Sequence, residues 1–330
     1  MKTKSSLKVY RLVISIFFIG LYGSNLVPQV FGKYPEKNIR VIMHTPPGGG
    51  IGAMARLVLR YAREKLDTRF IIENHKGAGG QIGYTMLSMA KPDGYTIGTI
   101  STMSFVSHEL IRKGVKYTLH DSFIPIARIV QMPSCLSVLV DSPYKSLNDL
   151  IKDAKEFPGK VSWGGTMKWG THHVHMAMLE MSTNVKMTYV PFDGISETRT
   201  YLLGGHLDVA AGGLAVYAPL VEQGKLRILA VGSAERSSLL PDAPTYKELG
   251  YDIEISSDRC FAAPAGTPKE YIDILSNAFK EVMEEPAFLE DAKKIGIYNV
   301  LGYMNSADLR NYLLNLQNTM REMVKIFKMK

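Results

Sequence analysis

Ile39-Arg40-Val41-Ile42-Met43 runs into Pro46-Pro47-Gly48-Gly49-Gly50, and Met54, Leu57, Val58 and Tyr61 follow. The first stretch is a short buried strand. The Pro-Gly run stops it, because proline removes a backbone donor and glycine frees the turn. The last four residues fall at i, i+3, i+4 and i+7, one face of a helix, with Arg56, Arg60 and Arg63 on the other face. The same plan returns at once: Phe70–Glu73 reads as a strand, Gly77-Ala78-Gly79-Gly80 as the turn, and a helix runs to about Met89. Pro92-Asp93-Gly94 is a turn before a third strand, Tyr95–Ile100. Strands alternating with helices imply an α/β chain with a parallel sheet covered on both faces.

The middle of the chain repeats the pattern. Strands are expected at Cys135–Val140, Val161–Trp163, Thr188–Val190, Leu207–Ala211 and Leu226–Val231, with a helix near His175–Met181. Ser146-Leu147-Asn148-Asp149 reads as a capping box. Phe261–Ala263 leads into Thr267-Pro268-Lys269-Glu270, a second capping box with proline at the first helical position. The last helix runs from about Ala307, with Leu309, Tyr312, Leu313, Leu316, Met320 and Phe327 as one stripe.

The N-terminus reads as an address. Lys2, Lys4, Lys8 and Arg11 precede an apolar run, Leu12–Tyr22, and no acid occurs before residue 33. That run is too short for a permanent span, which needs about 20 residues. A basic start, a short apolar core and then small residues form a secretory signal, with cleavage expected near Gly32. No cysteine adjoins the cut, which argues against a lipoprotein. The mature chain is therefore expected outside the cytoplasmic membrane, in an oxidising compartment.

Composition agrees with a folded, soluble chain. Of 330 residues, 46% are hydrophobic and 21% charged, an ordinary globular mix. The formal charge is +8, but four of the 39 basic residues belong to the signal. That leaves 35 against 31 acids, a net +4, too weak and dispersed for a nucleic-acid footprint. Cys135 and Cys260 are the only cysteines and form no CxxC pair, so zinc ribbons and iron–sulfur clusters are not expected. If the strands carrying them lie side by side, the two could form a disulfide.

The Gly-rich turns carry the chemistry. Glycine lets consecutive N–H groups point at one place, and a helix N-terminus adds free donors and the positive end of its dipole. An anion is the natural guest. Two such turns open helices in the first part of the chain, and Gly170-Thr171 offers a third. Three of them converging on a cleft can hold a carboxylate without any arginine.

The sequence also holds rival constellations. Gly48-x-Gly50-x-x-Ala53 followed by Glu73 mimics a dinucleotide fingerprint, but a soluble nicotinamide cofactor does not suit an exported chain. His172, His173 and His175 adjoin on a turn with no second metal motif. No Gly-x-Ser-x-Gly elbow occurs. Asp208 and Glu197 read as solvated or capping carboxylates. No cofactor, no metal and no catalytic residue are expected.

An ordered series of short motifs resembles the substrate-binding proteins of tripartite tricarboxylate transporters, the Bug receptors. It comprises Tyr34-Pro35, Pro47-Gly48-Gly49, Glu73-Asn74 with Gly77–Gly80 and Gly83, and Pro92–Thr96. It goes on through Val190-Pro191, Gly194, Leu203-Gly204-Gly205, Asp208, Gly224–Arg227 and Leu229–Val231. Pro241–Thr245 and Ala263–Pro268 close it. The resemblance implies a type II-like periplasmic binding protein of two lobes, each a sheet flanked by helices, with the ligand cleft between them. Lobe 1 would be residues 33–133 plus 261–330 and lobe 2 residues 134–260, with crossing hinge strands near 133–137 and 258–263.

The resemblance further implies capture of a small carboxylate, aromatic or dicarboxylic, for delivery to membrane transporter subunits by a monomeric receptor. A ligand-sensing partner of a membrane sensor kinase and a secreted enzyme acting on a carboxylate stay open as alternatives. The implied ligand-binding residues are Pro47, Gly48, Gly49, Gly50, Ala78, Gly79, Gly80 and Ser101 on one lobe. On the other they are Thr166, Lys168, Trp169, Gly170, Thr171, His172, Phe192, Gly194 and Gly213. Two departures matter. Gly52 stands where the pattern favours Asp, and the second-lobe loop leaves open which of His172, His173 and His175 faces the ligand. Trp169 offers an aromatic platform and Lys168 a cation for a second carboxylate; Trp163 is expected in the core.

Overall fold

The computed structural model describes residues 34–166 and 168–326. The expected signal sequence and its cut near Gly32 lie outside the described residues, as does Phe327. The chain opens with β1 (Ile39–Met43), α1 (Gly50–Leu66), β2 (Phe70–Asn74), α2 (Gln81–Ser88), β3 (Thr96–Ser101) and α3 (Thr102–Ile111). A short helix α4 (Leu119–Ser122) leads into β4 (Phe123–Val130). Next come β5 (Ser134–Leu139), α5 (Leu147–Glu156), β6 (Ser162–Thr166), α6 (Thr171–Thr183) and β7 (Thr188–Phe192). Then follow α7 (Ile195–Leu203), β8 (Val209–Gly213), α8 (Leu214–Glu222) and β9 (Leu226–Val231). The chain closes with β10 (Arg259–Pro264), α9 (Lys269–Glu284), α10 (Pro286–Lys294), β11 (Leu301–Met304) and α11 (Ser306–Ile326).

Local chemistry accounts for the helices. In α1, Met54, Leu57 and Val58 are buried and Arg56, Arg60 and Arg63 exposed, as the spacing requires. Asp67 ends that helix in the left-handed region, with Arg63 and Lys65 in the last turn beside the free carbonyls. The capping box at Ser146 forms, with Asp149 returning to the Ser146 backbone N–H at 2.8 Å. The box expected at Thr267 does not. Its hydroxyl donates to the Pro264 carbonyl at 2.8 Å, and Pro268 takes the capping position of α9. The turn that follows β10 claims that hydroxyl first.

Two sheets form, in the orders β11-β4-β10-β3-β1-β2 and β7-β6-β8-β5-β9. Each sheet has the expected parallel core, joined by strands of opposite direction. β2, β1, β3 and β4 point one way in the first sheet, with β10 and β11 reversed; β7, β6, β8 and β9 point one way in the second, with β5 reversed. The reason is connectivity. β10 returns to the first sheet from the second, so it runs against the strands that left.

Between the sheets the chain passes twice, at 131–134 and at 255–258, and the two passages are bonded side by side. Ser134 N–H donates to Ile255 O and Ser257 N–H to Met132 O, both at 2.9 Å. The cysteines are not bridged. Both are free and buried, Cys135 in β5 of one sheet and Cys260 in β10 of the other. Adjacency of the crossing segments thus does not bring the two sulfurs together.

Trp163 is fully buried, edge-on to His175. On the first sheet Tyr84, Phe105, Tyr117 and Phe123 pack largely edge to face. Leu309, Leu313, Leu316 and Met320 bury the stripe of α11.

Candidate functional site

The expected residues collect at one kind of place, the carboxyl ends of parallel strands. On the first sheet the loops after β1 and β2, and Ser101 at the end of β3, share an edge. On the second sheet the ends of β6, β7 and β8 carry Thr166, Phe192 and Gly213. Crevices outside such strand ends are where open α/β sheets hold ligands. The antiparallel β10 puts its first residue, Arg259, at the first edge, opposite Ser101 in register.

A hollow of about 350 Å³ opens there. Gly49, Gly50 and Ser101 line it, joined by Thr45, Ser257 and Arg259, which sequence reading did not single out. Met132 lines it too, and a Cβ placed on Gly213 would lie 3.0 Å from Met132 Cγ. That contact carries the end of β8 on the second sheet to the border of the same hollow.

The first loop builds its wall from backbone. Gly48 has φ of 90°, which glycine adopts without strain. Gly49 is the N-cap of α1, in extended backbone and without a side-chain cap, and the first turn holds no acid. Ala53 N–H is bonded to Gly49 O, so the N–H groups of Gly50, Ile51 and Gly52 precede the first helical bond. Arg259 Nη1 donates to Gly50 O at 3.0 Å. A Cβ at Gly50 would stand 2.9 Å from Nη2, so the guanidinium lies against the helix start. Burial lowers the Arg259 pKa. Where the resembled pattern has Asp, Gly52 is buried, and Arg56 Nη2 would be 2.8 Å from a Cβ there. Pro47 and Gly48 are exposed on the same loop.

The second loop is strained and supported from beneath. Gly77, Ala78, Gly79 and Gly80 all have positive φ. Arg112 Nη1 donates to Ala78 O at 2.5 Å, and a Cβ at Gly79 would meet Arg112 Nη2 at 3.0 Å. Gly80 and Gly83 leave room for His44, which would sit 2.9 and 2.7 Å from their added Cβ atoms. His44 Nδ1 is 2.8 Å from Thr99 O, and burial pulls its pKa down to about 4.

On the second sheet the three histidines diverge. His172 Nδ1 accepts the Thr166 backbone N–H at 3.1 Å. His173 Nδ1 accepts the Trp169 N–H at 3.1 Å, and its ring lies between Trp169 and Tyr189 at centroid distances of 4.0 and 4.2 Å. His175 bridges Ser134 Oγ at 2.9 Å and Tyr246 Oη at 2.8 Å. Burial holds the first two near pKa 4 and His175 near 3. These rings brace α6. Trp169, at φ of 65°, packs on His173; Lys168 is exposed. Gly170, Gly194 and Gly213 are the N-caps of α6, α7 and α8, and Thr171 is the first residue of α6. Phe192 packs on Tyr201 at 4.8 Å.

The rival acids are engaged elsewhere. Glu73 pairs with both Arg40 Nε (2.9 Å) and Nη2 (2.6 Å), and chiefly that bond holds its pKa at about 2. Asp208 accepts from the Ser162 N–H and hydroxyl. Glu197 accepts from the Asp193 N–H.

Residues 54–328 match the sequence profile of the tripartite tricarboxylate transporter family receptor. The chain belongs to that family. Among its relatives, the "UPF0065 protein in gbd 5'region" of Cupriavidus necator is 32% identical over 280 residues, 83% of this chain and 82% of that one. A TctC solute-binding protein from Polaromonas has the same two-lobed fold, with TM-score 0.81 and 27% identity over 88% of this chain and 99% of that one. A Rhodopseudomonas palustris protein solved with adipate matches with TM-score 0.71 and 25% identity, over 88% of this chain and 97% of that one. This receptor family is thus the setting in which the hollow is to be read. Among the described residues no helix is long and apolar enough to cross a membrane.

Proposed function

We propose that this receptor is periplasmic and monomeric, captures a small carboxylate, and delivers it to the membrane subunits of a tripartite tricarboxylate-type transporter. The observation that carries the reading is the hollow at the strand ends. It is bordered by an uncapped helix start, two serine hydroxyls and a guanidinium, and among the described residues no acidic side chain lines it. Such a lining suits an anion and repels a cation. The adipate held by the R. palustris relative is an acid of this class.

The ligand leaves as it came, with no catalytic step. With the lobes taken as 33–133 plus 261–330 and 134–260, closure bends the paired passages at 131–134 and 255–258 and brings Gly170-Thr171 over the hollow. The thermal stability of the mature protein, measured against a panel of carboxylic acids, tests the reading. A bound acid at 100 times its dissociation constant adds about 2.7 kcal/mol. No shift with any mono-, di- or tricarboxylate would remove it.

A further inference from the structure

We infer that Arg259 is a specificity residue that makes this a receptor for dicarboxylates, holding one carboxylate while the backbone N–H groups of the glycine loops hold the other. The inference rests on the carboxylate reading above and adds the ligand's second charge.

Three observations carry it. First, Arg259 has no acidic partner among the described residues. Its recorded bond goes to a neutral carbonyl, Gly50 O, through Nη1, and Nη2 makes none. A guanidinium half-buried without a counter-charge is costly, more so once a cleft closes over it. Second, the positive charge is concentrated. Arg259 lies against the start of α1, and Arg56 Nη2 lies near Gly52 one turn on, with no acid in that turn. A helix N-terminus carries roughly half a unit of positive charge and suffices for one carboxylate. The guanidinium beside it calls for another. Third, the wall holds an orphan. Thr45, in the same hollow, has a buried hydroxyl without a hydrogen-bond partner. Lys168, the cation that sequence reading favoured for a second carboxylate, is exposed on its loop, and the half-buried Arg259 takes that role.

Calorimetry with matched pairs of acids tests this: succinate against butyrate, and adipate against hexanoate. Each pair differs by one carboxylate, so the ratio of affinities reads the second charge alone. The wild-type protein should prefer at least one diacid over its monoacid by roughly tenfold to a hundredfold, the scale of a charge-assisted contact. Arg259→Gln, which keeps a neutral amide donor, should bind diacid and monoacid within about twofold of each other while its ligand-free melting temperature does not fall. The wild-type preference should also shrink as salt rises, a readout that needs no variant. A wild-type protein that binds both members of each pair equally overturns the inference and leaves the carboxylate reading standing. So does a preference that survives Arg259→Gln, or one insensitive to salt. Absence of binding by all four acids overturns the inference, and the carboxylate reading then stands or falls with the wider panel of mono-, di- and tricarboxylates.

Discussion

Asp258 is fully buried with its Oδ2 3.3 Å from Nη1 of the nearly buried Arg128. Its Oδ1 takes the backbone N–H of Met132 at 3.3 Å. The pair therefore ties the returning passage between the sheets to the outgoing one, one residue from Arg259. Removing one member of a buried pair strands the other charge at about 3–5 kcal/mol. Asp258→Ala should lower the unfolding free energy by that amount. Urea titration followed by circular dichroism checks it, and a loss below about 1 kcal/mol would refute the hinge role.

Acid should loosen the receptor through its histidines. Burial lowers His44 and His172 to about 4 and His175 to about 3, from 6.5 when unfolded. A depressed folded pKa means that the unfolded chain binds the proton first. Each ring's contribution is then complete above pH 6.5 and is lost as pH falls toward the folded value, on the order of 3–5 kcal/mol per ring at the acid end. Melting temperature should fall steadily from pH 7 to pH 4. Proton NMR should show these rings neutral at pH 6; a ring titrating near 6.5 contradicts the assignment.

Both cysteines should be thiols. Burial pushes the Cys135 pKa up to about 12 and that of Cys260 well above its usual range. Neither should react with a thiol reagent in the native protein, and both should react in denaturant. An intact mass 2 Da below the dithiol form, by loss of two protons, would show a bridge instead.

Gly83 sits inside α2, where alanine ordinarily gains up to about 1 kcal/mol. Here its Cβ would stand 2.7 Å from His44 Cα, a backbone atom that cannot turn aside. Overpacking of this kind costs about 1–3 kcal/mol and outweighs the helix gain. Gly83→Ala should be destabilised and, because His44 underlies Gly80, should also bind ligand more weakly. Differential scanning fluorimetry and calorimetry measure the two effects; a stabilised variant would show that β1 yields.

Much of the fold was legible because it is written in short-range pattern. β1 and β9 lie where alternation and burial put them, and Ser146 caps α5 as its spacing requires. The glycine turns announced the strand ends on which the hollow is built. β4 and β11 were not seen. Each lies beside partners far away in the chain, β4 against β10 and β11 against β4, and its own residues do not state that pairing.

The site divides the same way. A glycine loop before a helix carries its anion preference in its own backbone, so sequence alone named Gly49, Gly50 and Gly79. Three adjacent histidines, by contrast, look alike on paper. Only the fold turns His172 to Thr166, His173 to Trp169 and His175 to Tyr246, because partners up to 71 residues away select each ring's direction. Arg259 was invisible for the same reason. It is one of 39 basic residues in the sequence, and nothing beside it in the chain marks it. It becomes distinctive when β10 runs back antiparallel to β3 and sets its guanidinium against Gly50, 209 positions away, with no carboxylate among the described residues to meet it. Local sequence determined the backbone donors, because hydrogen-bond geometry within a turn is local. Tertiary structure decided where the fixed charge stands, because Coulomb interaction depends on distance in space and not on distance along the chain.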